Sequence, residues 1–89
     1  MAWTLEFSEG ARRNLKALDP VVARCIVDYL RERVAPSKYP SDLGKPLQGK
    51  KYQGQVRYRV GDYRIIAEIR NSVLVIVVVE IGHRREIYR

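Results

Sequence analysis

The run from Val73 to Val79 contains only aliphatic residues and constrains the fold more than any other feature of the chain. It is far too short to cross a bilayer as a helix, which takes about 20 residues. Its β-branched residues predict a strand, and because no polar residue alternates with the apolar ones, we expect both faces to be covered. The strand should therefore be central in a sheet and cannot be an edge.

The N-terminal part of the chain predicts one strand followed by two helices. Apolar and polar residues alternate from Trp3 to Phe7, as in a half-buried strand. Ser8 and Asp19 can each cap a helix start, and Pro20 suits the first turn of the second helix. Apolar residues then recur at helical spacing: Ala11, Leu15 and Leu18 in the first helix, and Val22, Cys25, Ile26, Tyr29, Leu30 and Val34 in the second. We expect Cys25 to have a packing role and the second helix to end near Ala35 and Pro36.

The C-terminal half predicts an irregular connection and then strands. Prolines and glycines interrupt residues 36–55, which is typical of a wandering loop. Apolar residues then alternate with polar ones on both sides of Gly61 and Asp62, the pattern of a β-hairpin, and Asn71 and Ser72 form a second turn signal. The predicted order is βααβββ, an α+β fold with two N-terminal helices packed on a mostly antiparallel sheet. At this length, residues 1–89 are expected to be a single domain.

The charge of the chain indicates a polyanionic partner. The formal net charge is +7, and residues 45–89 hold ten Lys or Arg against four Asp or Glu, whereas residues 1–44 hold seven against six. Nucleic acid, an acidic protein or an anionic membrane surface would fit. The single cysteine, Cys25, indicates a reducing compartment, and the first six residues lack the features of a secretion signal. We expect a soluble cytoplasmic protein that does not bind a membrane.

Several common catalytic motifs are absent from the sequence. There is no Gly-rich phosphate loop of either common spacing, no HExxH and no Cys/His cluster with metal-ligand spacing. One His and one Cys also argue against zinc chemistry and against a thiol triad. We expect no metal and no other cofactor.

Arginines in the predicted hairpin form the first candidate site. Arg57, Arg59 and Arg64 lie in alternating segments joined by a tight turn, so their guanidinium groups can converge on one sheet face. Such a cluster can grip phosphate and stabilise the extra negative charge of a transition state. The alternative is a solvated basic face without a catalytic role.

The last eight residues form the second candidate site, because they combine acid–base, cationic and stacking groups. They include His83, Arg84, Arg85 and Tyr88. RNA can be cleaved without a metal if its own 2′-OH attacks the neighbouring phosphate, which requires alignment, charge stabilisation and proton transfer. The alternatives are that Tyr88 packs on the sheet and that His83 is a surface or cap residue.

The segments YRVGDYRI at 58–65 and GHRREIYR at 82–89 resemble the signatures of the RelE/ParE superfamily of bacterial and archaeal type II toxins. The resemblance covers nearly the whole chain, including the opening strand, the first helix and residues 43–47. It implies the βααβββ fold and, in the RelE-like branch, a ribosome-dependent endoribonuclease. Such an enzyme cleaves messenger RNA in the decoding site and thereby inhibits translation.

The resemblance also implies roles for individual residues. Arg64 corresponds to a phosphate-stabilising arginine, Arg84 to one that stabilises charge or protonates the leaving group, and Tyr88 to a tyrosine that activates the 2′-OH or stacks on a base. Arg57 lies where the family often has a catalytic lysine, and the companion lysine position is Gln55, a departure. Arginine is a poor base and glutamine is not a base, so proton abstraction falls to Tyr88, His83 or a ribosomal group, or cleavage is supported chiefly by electrostatics. Further basic residues are expected to bind RNA: Arg59, Lys45, Lys50, Lys51 and Arg85.

The expected partners are the ribosome, messenger RNA and an acidic, RelB-like antitoxin. The antitoxin should cover the basic site or displace the C-terminal segment, and operator DNA should be bound only through the antitoxin complex. A second hypothesis is a ParE-like inhibitor of DNA gyrase without nuclease activity. A third is a degraded toxin that only binds its antitoxin. The arginines of the hairpin and the tail from Arg84 to Tyr88 favour the nuclease, because a gyrase inhibitor needs no group of side chains that faces a phosphate.

Overall fold

A computed structural model describes residues 2–47, 49 and 54–83. The helices and strands follow one another in this order: β1 (Thr4–Phe7), α1 (Glu9–Ala17), α2 (Pro20–Tyr29), a π-helical turn (Leu30–Val34), a 3₁₀ turn (Pro40–Leu43), β2 (Lys45–Pro46), β3 (Gln55–Val60), β4 (Tyr63–Arg70) and β5 (Val75–His83). Among the described residues, these strands form a five-stranded sheet in the order β1-β5-β4-β3-β2, in which the β1–β5 pair is parallel and the other pairs are antiparallel. The predicted α+β fold is confirmed, and β2 is an additional short strand within the predicted loop.

Side-chain caps begin both helices where the sequence predicts them. The Ser8 hydroxyl accepts a hydrogen bond from the Ala11 amide at 3.0 Å, and the Asp19 carboxylate accepts one from the Val21 amide at 2.8 Å. These bonds satisfy amides that have no partner within the helix. At the other end, α2 continues into the π-helical turn, and the helical path closes at Ala35.

The core lies between the helices and one face of the sheet. From the second helical segment it includes Ile26, Leu30 and Val34, which are spaced by four residues and fully buried. Cys25 is exposed, so its predicted packing role is wrong. Cys25 lies at the margin of the apolar stripe, where the helix surface already turns toward solvent.

Strand β5 lies between β1 and β4, which confirms that it is not an edge. The strand begins at Val75, and Val73 is 62% exposed in the preceding turn. Ile76 and Val78 face the helices and are buried, whereas Val75 and Val77 are only half-buried. The prediction that both faces are covered is therefore wrong for the described residues, because the helices pack on one face only.

A β-bulge interrupts β5 at Val79. Ile66 pairs with Glu80, but the next residue of β4 pairs with Val78, so Val79 has no partner opposite it. Helix α1 bonds to the bulge from both sides: the Ser8 hydroxyl donates to the Val79 carbonyl, and the Asn14 side-chain oxygen accepts from the Ile81 amide, each at 3.0 Å. The extra residue shifts the alternation of side chains along the rest of the strand.

Candidate functional site

Four cationic side chains lie together on the sheet face that points away from the helices. Arg59 pairs directly with Arg64 across the hairpin, and Lys45 pairs with Arg57 across β2 and β3. Paired residues share a face, as do residues two apart on a strand, so all four side chains lie on the same face. They line a cleft of about 330 Å³ together with Leu43 and Gly44. We call this feature the cationic cleft.

The cationic cleft contains two adjacent pairs of like charges. Like charges directly opposite each other on neighbouring strands destabilise a sheet. The Arg59–Arg64 pair is of this kind, and Lys45 lies opposite Arg57 on the neighbouring strands. An anion bound beside Arg59 and Arg64 would reduce their repulsion, so the arrangement favours a negatively charged ligand.

Arg64 is the most buried of these cations, with 8% of its surface exposed. Its Nη1 donates to the backbone carbonyls of Gly61 and Tyr63, each at 3.3 Å, and this holds the guanidinium in place. Within the part of the chain that the structure describes, no carboxylate lies within ion-pair distance of it. The residue paired with Arg64 on β5 is Gly82, which puts no side chain beside it.

These contacts prepare Arg64 for an anionic ligand. A guanidinium group has five N–H donors, and the two backbone bonds use only those on Nη1. Nε and Nη2 can therefore form the bidentate pair that phosphate prefers. Because the group is largely removed from water, its attraction to a phosphate is screened less than that of an exposed arginine.

Leu43, the last residue of the Pro40–Leu43 turn, and Gly44 form one wall of the cationic cleft, and the turn is anchored to β3. The Tyr58 hydroxyl donates to the Pro40 carbonyl at 2.7 Å, and burial raises the pKa of this phenol well above its ordinary value, so it remains a donor. Gly44 packs so closely on β3 that a Cβ there would lie 2.5 Å from the Arg57 carbonyl. Both contacts fix the position of the wall relative to the arginines.

The structure brings together four of the residues singled out from the sequence: Arg57, Arg59, Arg64 and Lys45. It does not bring His83 to them. His83 pairs with Tyr63 on β4, and the two rings meet edge to face with centroids 5.6 Å apart. Tyr63 packs against the core, so His83 lies on the helix side of the sheet.

The remaining site predictions concern residues outside the described ranges: Arg84, Arg85, Tyr88, Lys50 and Lys51. Two lining residues of the cationic cleft, Leu43 and Gly44, were given no role from the sequence. The feature of the sequence that could have indicated them is a glycine directly before a basic residue in residues 43–47, the stretch that resembles the toxins. Glycine is needed there because of the close approach to β3.

Two further observations concern metal ions and membranes. Among the described residues, no group of three or more His, Cys, Asp or Glu side chains lies close enough together to hold a metal ion. None of the helices in the described ranges has the length and apolar character required to span a membrane.

Known toxins share both sequence and fold with this chain. Residues 5–88 match the family described as ParE toxin of type II toxin-antitoxin system, parDE. Toxin RelG of Mycobacterium tuberculosis is 32% identical over 89 residues, which cover 100% of this chain and 99% of that protein.

Solved structures agree with these matches. The toxin–antitoxin complex RelBE2 of Mycobacterium tuberculosis contains a chain that aligns with a TM-score of 0.84 and 27% identity, covering 94% of this chain and 100% of that one. A mutant of the Escherichia coli toxin RelE in the free state aligns with a TM-score of 0.77 and 22% identity, covering 97% and 87% of the two chains.

The fold is thus that of the RelE toxins, two helices on a mostly antiparallel five-stranded sheet. The chain belongs to the ParE toxin family, within the RelE/ParE superfamily, and is a RelE-like toxin of the type II toxin–antitoxin class.

Proposed function

We propose that this toxin is a metal-independent endoribonuclease that cleaves messenger RNA in the decoding site of the ribosome and thereby inhibits translation in the cytoplasm. The observation that carries the proposal is the position of Arg64 among the cations of the cationic cleft: it is buried, lies opposite Arg59 and has no carboxylate partner among the described residues. A phosphate of the RNA backbone would supply a negative charge to Arg64.

The proposed chemistry is attack by the 2′-OH of the message on the adjacent phosphorus, with departure of the 5′-oxygen of the next nucleotide. The phosphate gains negative charge as the new bond forms, and Arg64 is held where it stabilises that charge. Arg57 and Arg59 add positive charge from β3, and Lys45 adds it from β2. Because Arg64 is held by its backbone hydrogen bonds before the substrate binds, little reorganisation of this donor is needed in the transition state.

Proton transfer requires groups other than the hairpin arginines, which stay protonated near neutral pH. We assign activation of the 2′-OH to Tyr88, and stabilisation of charge or protonation of the leaving oxygen to Arg84. His83 contacts the ring of Tyr63 on the helix side of the sheet, which makes it a weaker candidate for the base. Arg85, Lys50 and Lys51 are proposed to bind the RNA backbone.

The proposed protein partner is an acidic, RelB-like antitoxin. The related RelE chains from Pyrococcus horikoshii and Methanococcus jannaschii were each solved in complex with RelB. On this toxin, the cationic cleft would attract acidic residues, and the half-buried Val75 and Val77 on the same sheet face offer apolar contact. Operator DNA would be bound only through this complex.

Primer extension on messages recovered after brief expression tests the nuclease. The wild-type toxin should produce cuts within codons of translated messages, and replacement of Arg64, Arg84 or Tyr88 by Ala should remove them while thermal unfolding shows a folded protein. Intact cleavage in all three variants would reject the proposal.

The rival function is inhibition of DNA gyrase. It is the less favoured one, because the match to Toxin RelG and the structural alignments are with RelE-type toxins, and because blocking gyrase requires no phosphate-binding cleft. A supercoiling assay with purified toxin separates the two. Inhibition of supercoiling with uncut message would favour the gyrase inhibitor.

A further inference from the structure

Two exposed apolar side chains, Tyr39 and Leu43, flank the turn that leads into the cationic cleft. Among the described residues, four large hydrophobic side chains are highly exposed: Val21 at 71%, Tyr39 at 62%, Leu43 at 45% and Val73 at 62%. Tyr39 and Leu43 lie at the two ends of the same turn, and Leu43 lines the cationic cleft. Apolar surface is thus presented next to a site for phosphate.

The backbone that carries Tyr39 and Leu43 is held in place from several sides. The Tyr39 amide donates to the Ser37 hydroxyl at 3.2 Å, and the Asp42 amide donates to the Tyr39 carbonyl at 3.0 Å. The Tyr58 hydroxyl anchors Pro40 from the core. The two apolar side chains therefore project from a backbone that these hydrogen bonds hold in place.

The ligand for such a surface must combine a phosphate with a flat apolar group at short range. An unpaired nucleotide has this chemistry, because its base is joined to the phosphate through one ribose. Proteins hold unpaired bases by stacking them on aromatic rings and covering them with aliphatic side chains. The Lys38 ammonium group, 5.6 Å from the centre of the Tyr39 ring, adds positive charge beside the same surface.

We propose that Tyr39 and Leu43 form a base-binding subsite of the cationic cleft, which takes an unpaired RNA base next to the phosphate held by the arginines. The inference rests on the proposed function, since it assumes that RNA enters the cleft. Bases of a duplex are stacked on one another and are not presented to such a subsite. The subsite therefore makes the cleft selective for single-stranded RNA.

Fluorescence anisotropy with two labelled strands tests this subsite. One strand is a 2′-O-methyl RNA oligonucleotide, which has no free 2′-OH and cannot be cleaved, and the other is an abasic strand of the same length and charge. The wild-type toxin should bind the base-bearing strand more tightly. Tyr39→Ala and Leu43→Ala should each weaken that binding about tenfold and leave binding of the abasic strand unchanged.

Two controls make the result specific. Val73→Ala removes an equally exposed aliphatic side chain that precedes β5 and does not line the cationic cleft, and it should change neither affinity. Tyr39→Phe keeps the ring and should restore most of the affinity lost in Tyr39→Ala. Because Tyr39 and Leu43 are exposed, all variants should unfold at nearly the wild-type temperature.

The possible outcomes separate the subsite from the cleft. If the wild type binds both strands equally, or if Tyr39→Ala and Leu43→Ala bind RNA as Val73→Ala does, the subsite is rejected, and the turn serves another partner. If Arg64→Ala loses binding of both strands, the phosphate site is supported, whatever the result for Tyr39→Ala and Leu43→Ala. If the wild-type toxin binds neither strand, the phosphate site itself is rejected and the subsite with it.

Discussion

Arg59→Gln should stabilise the free toxin, because it removes one member of the like-charge pair with Arg64. Pairs of like charge directly across two strands cost up to about 1 kcal/mol. Arg59 is exposed, so water screens part of the repulsion and about 0.5 kcal/mol is the expected gain. For a domain of this size, that gain raises the melting temperature by roughly 2–4 °C.

Thermal unfolding followed by circular dichroism measures this gain. Arg13→Gln is the matched control, because Arg13 is an exposed arginine on α1, on the other side of the sheet, and its replacement removes the same charge. The difference between the two variants should shrink as the salt concentration rises toward 1 M, where the Debye length falls to about 3 Å. If Arg59→Gln is no more stable than Arg13→Gln at low salt, the cleft holds no repulsion for an anion to relieve.

Two further predictions concern the wall of the cationic cleft. Gly44→Ala should destabilise the toxin by about 1–3 kcal/mol in urea unfolding, because the new methyl group would lie 2.5 Å from the Arg57 carbonyl; unchanged stability would show that the wall moves freely. Tyr58→Phe should lower the unfolding free energy by about 1–3 kcal/mol, because the buried Pro40 carbonyl loses its donor; a loss no larger than that of Tyr39→Phe would contradict this. Burial raises the pKa of Tyr58 in the folded state above its value of about 10 in the unfolded chain. The contribution of Tyr58 to stability is therefore complete below about pH 10 and decreases as the pH rises above that value. The unfolding free energy of Tyr58→Phe should decrease less than that of the wild type over the same pH range.

The arginine cluster was predictable from the sequence because strand periodicity is simple. Arg57 and Arg59 are two residues apart, and the Gly61–Asp62 turn fixes the register that brings Arg64 opposite Arg59. The alternation of side chains along the two strands is therefore enough to place Arg57, Arg59 and Arg64 on one face of the sheet. Lys45, on β2, was singled out because of its charge, but no periodicity in the sequence predicts that it pairs with Arg57.

Other parts of the site depend on tertiary contacts that leave no period in the sequence. The bulge at Val79 reverses the alternation beyond it, so His83 lies on the helix side; without the bulge it would lie on the face of the arginines. The Pro40–Leu43 turn forms because Tyr58 reaches its carbonyl from β3, a contact between distant residues. Cys25 has the spacing of a core residue, but packing of the sheet covers a narrower stripe of α2 than the spacing suggests.

The rate of cleavage of ribosome-bound message in a single turnover tests the central claim most directly. Arg64→Ala should lower the rate by about 10²–10³, the usual cost of removing a fixed donor from a developing negative charge. Arg70→Ala is the matched control, since Arg70 is an arginine of the same strand and sheet face that pairs with Glu68 at 2.7 Å. We expect Arg70→Ala to cleave at a rate within about threefold of the wild-type rate. This change in activation free energy is smaller than the roughly 1.4 kcal/mol that corresponds to a tenfold change in rate. Equal rates for Arg64→Ala and the wild type would contradict the proposal that the cationic cleft holds the scissile phosphate.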